Sequence, residues 1–175
     1  MYIKIPHDRI GALIGPKGSI KQLIEELSTA TLDIDSESGT VQILSSDDPV
    51  RGMRAMEVIQ AIGRGFSPER AIKLFDDDLL IFEQIDIPAN TPKTLKRIRG
   101  RIIGKNGKTR ELIENVTHTS VSVYGKTAAI IGYPEQAYVA KTAIGMLIDG
   151  MPHSSVYSFI EKKRRELTGK RIGHY

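Results

Sequence analysis

Two short stretches carry residue types at spacings that could do chemistry. The stronger is Arg101-Ile102-Ile103-Gly104-Lys105-Asn106-Gly107-Lys108-Thr109-Arg110, and a weaker copy lies upstream as Ala12-Leu13-Ile14-Gly15-Pro16-Lys17-Gly18-Ser19-Ile20. Both read apolar-Ile-Gly-x-x-Gly. Two glycines spaced by two residues between helical patterns make a tight turn that needs unusual backbone angles, and they leave amides uncovered by side chains. Such a loop can approach a phosphate backbone closely. Its amides and the positive end of the next helix would supply hydrogen bonds, and Lys17 and Lys105 would add charge. Pro16 removes one backbone donor from the first loop.

The elements that must position these loops repeat as well. Aligning Gly15 with Gly104 sets an offset of 89 residues, and the flanks of the two loops match, so the chain reads as two related domains. In the first, residues 1–6 form a strand, and a helix from His7 or Asp8 carries Ile10, Leu13 and Ile14 up to Gly15. After the loop Ser19 is expected to cap a helix with Ile20, Leu23, Ile24 and Leu27 on one side. A hairpin over 31–35 and 40–44, a third helix from Pro49 and a short helix from Ser67-Pro68 to Phe75 complete the unit. In the second, a strand over 79–87 leads to a helix that Thr91-Pro92 starts and Gly104 ends. The next helix bears Leu112, Ile113 and Val116, and strands follow over 120–124 and 127–131. A helix from Pro134 stops near Gly150, and a last helix from Pro152 ends in Lys162-Lys163-Arg164-Arg165 and the tail Lys170-Arg171.

Each unit is therefore expected to be α+β, a three-stranded antiparallel sheet covered by helices on one face and partly wet on the other, with an extra helix behind it. The triplet Asp76-Asp77-Asp78 places the boundary, giving domains over 1–76 and 77–175.

The 175 residues carry a net charge of +4, unevenly spread. Residues 1–88 hold 9 Lys+Arg against 15 Asp+Glu, and residues 89–175 hold 16 against 6. The basic half favours a polyanionic partner. The helix before the second loop is the most basic element, with Lys93, Lys96, Arg97, Arg99 and Arg101 and no acid among them, and phosphate contact is expected there. Arg110 is read as standing where the first unit has Ile20.

There is no cysteine, which excludes disulfides, thiolate zinc sites and cysteine nucleophiles. His7, His118, His153 and His174 show no metal-ligand spacing, and no carboxylates converge, so neither an enzyme nor a metal or other cofactor is expected. The chain opens on an alternating strand pattern without a basic leader or long apolar run; a soluble, cytoplasmic protein with no membrane partner is expected.

The two loops, Leu-Ile-Gly-Pro-Lys-Gly-Ser-Ile and Ile-Ile-Gly-Lys-Asn-Gly-Lys-Thr, resemble the signature of KH domains, whose Gly-x-x-Gly loop clamps about four nucleotides of single-stranded nucleic acid. The element order resembles type I KH. That resemblance implies RNA contacts at Ile14, Gly15, Pro16, Lys17, Gly18 and Lys21 in the first unit. In the second it implies them at Lys96, Arg97, Gly100, Arg101, Ile103, Gly104, Lys105, Asn106, Gly107, Lys108, Thr109 and Arg110. The same resemblance places residues 32–34 of the first unit and 120–123 of the second at the cleft, although at their spacing Leu32, Ile34, Val121 and Val123 are more often plain core residues.

Tandem units with Gly-Lys-Asn-Gly-Lys-Thr-Arg-Glu-Leu-Ile-Glu, then Val-Ser-Val-Tyr-Gly-Lys-Thr, and a Pro-initiated helix after each unit resemble the partner-of-Nob family of small-subunit ribosome assembly factors, in its archaeal form. The resemblance implies three partners: single-stranded RNA at the 3′ end of the small-subunit rRNA, the PIN-domain endonuclease that trims it, and the alpha subunit of translation initiation factor two. The alternatives are a protein-interaction scaffold built on the acidic first unit, or a general KH regulator of RNA.

Overall fold

In the computed structural model, which describes residues 1–172 (side chains through residue 169), the chain divides into two compact units with the boundary between Phe82 and Glu83. The boundary lies beyond the aspartate triplet because Arg54 reaches from the first unit to the connecting segment. Its guanidinium donates to the carbonyls of Leu74, Asp77 and Leu80, holding residues 74–80 to the first unit. Lys170, Arg171 and His174 lie outside the described side chains.

The first unit runs β1 (Tyr2–Lys4), α1 (His7–Ile14), α2 (Ser19–Ser28), β2 (Ala30–Asp35), β3 (Thr40–Ser46), α3 (Pro49–Gly63) and α4 (Pro68–Ala71), the last continued by a 3-10 turn over Ile72–Phe75. The second runs β4 (Ile81–Asp86), α5 (Pro92–Ile103), α6 (Lys108–Thr117), β5 (Ser120–Tyr124), β6 (Thr127–Gly132), α7 (Pro134–Ile148) and α8 (His153–Ile172). Both sheets have the same order, β1-β3-β2 and β4-β6-β5, so the last strand of each unit is central and the strand after the second helix is an edge.

Local chemistry explains where the helices begin. Asp48 accepts from the amides of Val50 and Arg51, Ser67 from that of Arg70 and Thr91 from that of Thr94, each beside a proline in the first turn. The apolar stripes then close two cores, one around Leu13, Ile24, Ile59, Ile62 and Phe66, the other around Ile102, Ile113, Ile130, Ile144 and Leu147, all under 2% exposed. Burying each such side chain contributes about 1.5–3 kcal/mol. The β2–β3 turn is tied by Asp35, whose carboxylate accepts from Ser38 and from the amides of Glu37 and Ser38. These bonds hold its pKa below the usual carboxylate value.

One expectation is modified. The outer face of the first sheet is wet, as the alternation along β2 requires, but β6 is buried at all six positions. As the central strand it has a neighbour on either side, and its burial extends to Thr127, Ala129 and Ile131, which alternate with the core-facing Ala128 and Ile130.

Candidate nucleic-acid interface

The two Gly-x-x-Gly loops have the same backbone despite their different residues. Gly15 and Gly104 sit at φ 72°, ψ 174° and φ 75°, ψ 174°, a region essentially reserved for glycine. Gly18 and Gly107 both adopt φ 75° in the left-handed region. Between them, Lys17 and Asn106 share φ 56°, ψ 28°. Asparagine tolerates that conformation, whereas lysine pays roughly 1–2 kcal/mol for it. The second loop is thus the better adapted, and it also keeps at Lys105 the N–H that Pro16 lacks.

The two glycines of each loop have different tasks. A Cβ on Gly15 would stand 2.4 Å from Ile20, and one on Gly104 would stand 2.1 Å from Thr109 Oγ1, so the first glycine is fixed by the packing beneath it. A Cβ on Gly18 would meet nothing within 4 Å, and one on Gly107 only the tip of Arg110 at 3.9 Å. The second glycine therefore faces open space and leaves a bare backbone surface.

These contacts correct two expectations. Ile20 and Thr109 occupy equivalent places, which sets Arg110 against Lys21, not Ile20; both units have a cation here. Ser19 does not cap α2. It is the first helical residue, and its amide donates to the Pro16 carbonyl. Neither α2 nor α6 has a side-chain cap, since their N-caps are the glycines Gly18 and Gly107. No side chain covers the start of either helix, so the positive end of its dipole stays open to an anion at the loop.

On α5 the residues Lys93, Lys96, Arg97 and Gly100 recur at helical spacing and are all exposed, making one cationic face that leads to the loop. Lys105, Asn106 and Lys108 are exposed at its end, as are Pro16 and Lys17 in the first loop; Ile14, Ile103 and Lys21 are half-buried. Two predicted contacts are held elsewhere. Arg101 donates through Nε to the Leu147 carbonyl at 3.0 Å and through Nη2 to the Met151 carbonyl, tying the end of α5 to the end of α7. Arg9 in α1 does the same for the first unit, with bonds of 2.8 Å to the carbonyls of Ile62 and Phe66. Thr109 is buried under the loop.

The far wall of the cleft is the edge strand. Glu114, 9% exposed, accepts from Arg110 at 2.7 Å and from the Val121 amide at 2.9 Å, bridging α6 to β5. Glu25 accepts from the Leu32 amide at 3.0 Å in the first unit. Val121 is core, while Val123, two residues on and therefore on the same open edge, is half-buried. Leu32 is core and Ile34 half-buried in the same way.

Sequence reading passed over Gly11. It and Gly100 are exposed glycines inside helices, each four residues before the first glycine of its loop, and a Cβ on either would meet nothing within 4 Å. Their matching offset in the repeat was the signal. Among the described residues no group of three His, Asp or Glu could hold a metal ion, the Asp76–Asp78 triplet included, and no helix is long and apolar enough to cross a membrane.

Comparison with known proteins agrees with this geometry. The family described as "Eukaryotic type KH-domain (KH-domain type I)" matches residues 81–165, and "KH domain" matches residues 1–60. A KH domain-containing protein of Methanocaldococcus jannaschii is 44% identical over 175 residues, covering 97% of this chain and 76% of that protein. The crystal structure of Dim2p from Pyrococcus horikoshii superposes with a TM-score of 0.87 at 48% identity, covering 93% of this chain and 98% of that one. The chain belongs to the Dim2/PNO1 family of tandem KH proteins. Another Pyrococcus horikoshii structure of this family, a complex of a/eIF2alpha, aDim2p and rRNA, matches with a TM-score of 0.89 at 47% identity over 95% of this chain and 94% of that one. The pre-rRNA-processing protein pno1 of Schizosaccharomyces pombe, a family member, is 34% identical over 131 residues. That match covers 71% of this chain and 54% of that protein.

Proposed function

We propose that this chain is a non-catalytic, single-stranded RNA-binding factor of small-subunit ribosome assembly that holds the 3′ end of the small-subunit rRNA, chiefly through its second unit. The observation that carries this reading is the pairing of the bare Gly107 and the uncapped start of α6 with the exposed cations of α5 and of Lys105 and Lys108. Backbone phosphates would take the loop amides and the cations, and bases would enter the cleft between α5, α6 and the β5 edge. The site residues named above for both loops, with Gly11 added, are its contacts; Arg101 and Thr109 serve as framework. Relatives named as RNA-binding and pre-rRNA-processing proteins, and a relative in complex with rRNA, support it.

A protein-docking role for the first unit accompanies it. The acidic first half and the donor missing at Pro16 make that loop the poorer anion site, and an aDim2p structure holds a/eIF2alpha alongside rRNA. The alpha subunit of translation initiation factor two is therefore the proposed protein partner, with the PIN-domain rRNA endonuclease second and the cytoplasm as the site of action. The test is equilibrium binding of the purified chain to a short single strand of the rRNA 3′ end and to its scramble, at low and moderate salt. Preference for the true end that survives moderate salt bears the reading out. Equal, salt-labile binding to both strands overturns it.

A further inference from the structure

Thr109 and Ile20 do the same packing job, filling the space directly under the first glycine of each loop, and the two loops reach the same backbone angles. A threonine is therefore not needed for the loop's shape. It puts a hydroxyl into a place 4% exposed, which costs stability unless that hydroxyl is bonded. Its partner is the phenolic oxygen of Tyr157 on α8, at 3.1 Å and 48 residues away.

A second link joins the same two regions. His153, in the first turn of α8, lies 3.0 Å through Nε2 from the carbonyl of Arg101, in the last turn of α5. His153 also packs edge-on against Tyr157, with ring centroids 6.1 Å apart. Val156 and Ile160, both 1% exposed or less, anchor this part of α8 in the core. The helix entering the loop and the helix leaving it are thus each bonded to one short stretch of α8.

Resting on the RNA-binding reading above, we propose that α8 is a strut for the second Gly-x-x-Gly loop and that Tyr157 is its positioning residue. The Tyr157–Thr109 and His153–Arg101 bonds hold α5 and α6 in the spacing that phosphates require at the loop. RNA affinity in the second unit then depends on a helix outside the sheet-and-three-helix core. The first unit has no such tie at Ile20.

The test compares the full-length wild type, Gly107→Asp, Tyr157→Phe and the double variant Thr109→Val/Tyr157→Phe, each by RNA affinity for the rRNA 3′-end strand and by urea unfolding. Tyr157→Phe removes one oxygen and orphans the threonine hydroxyl, so both stability and affinity should fall. The double variant restores the apolar packing of the first unit and recovers stability. If Tyr157 positions the loop, its affinity stays about fivefold below wild type, the effect of one hydrogen bond. If the link is merely structural, affinity returns with stability, and the proposal is overturned. Affinity indifferent to Gly107→Asp would instead overturn the loop reading itself, and this inference with it.

Discussion

Gly11 and Gly100 stand at the same place in their helices, exposed, with open space where a side chain would be. Glycine inside a helix is less stable than alanine by roughly 0.5–1 kcal/mol, and no packing in either unit explains the choice. A flat ligand lying on the helix would. Gly100→Ala should therefore raise the unfolding free energy by about that amount in urea while weakening RNA binding. Improved stability with unchanged affinity would remove this face from the site.

The two glycines of the second loop should separate in the same pair of measurements. Gly104→Ala forces a Cβ onto Thr109 in a backbone region closed to alanine, and should cost upwards of about 2 kcal/mol. Gly107→Asp meets only the left-handed penalty of about 1 kcal/mol and keeps the fold, yet sets a carboxylate against incoming phosphate and should abolish binding.

Arg101 should behave as framework. Arg101→Gln removes two charge-assisted bonds to carbonyls and should lower stability by roughly 2–3 kcal/mol, read from urea unfolding. RNA affinity of the folded variant should fall less than in Arg97→Gln. The reverse order would return Arg101 to the phosphate contacts.

Salt gives an independent count of phosphate contacts. For single strands log K falls with log salt by about 0.7 per phosphate neutralised, so Lys105→Ala and Lys108→Ala should each flatten the slope by about that much. Lys141→Ala is the control, because Lys141 is paired with Glu83 at 2.9 Å on another surface of the same unit; it should leave the slope alone.

Much of this was legible beforehand because it is local. Paired glycines, Asp48, Ser67 and Thr91 at helix starts, and the matching order of strands follow from neighbours in sequence. The bonds of Arg101 were not legible, because a helix position does not say which carbonyls lie within reach of a long side chain 46 residues away. Arg9 answers the same need from a different position in its helix, so even the repeat hid the pairing. The Thr109–Tyr157 bond was invisible for the same reason. The Arg110 alignment was out by one position: the offset of 89 already pairs Ile20 with Thr109, and the contacts under the two loops agree with that offset.

Glu25 and Glu114 have a consequence for colloidal behaviour. A strand at the margin of a sheet invites addition of a strand from another chain, and both β2 and β5 are such margins. Each carboxylate has already claimed an outward N–H of its strand, at Leu32 and Val121, so a foreign strand would have to displace it to dock there. The bonded donor makes each margin a poorer template for strand addition.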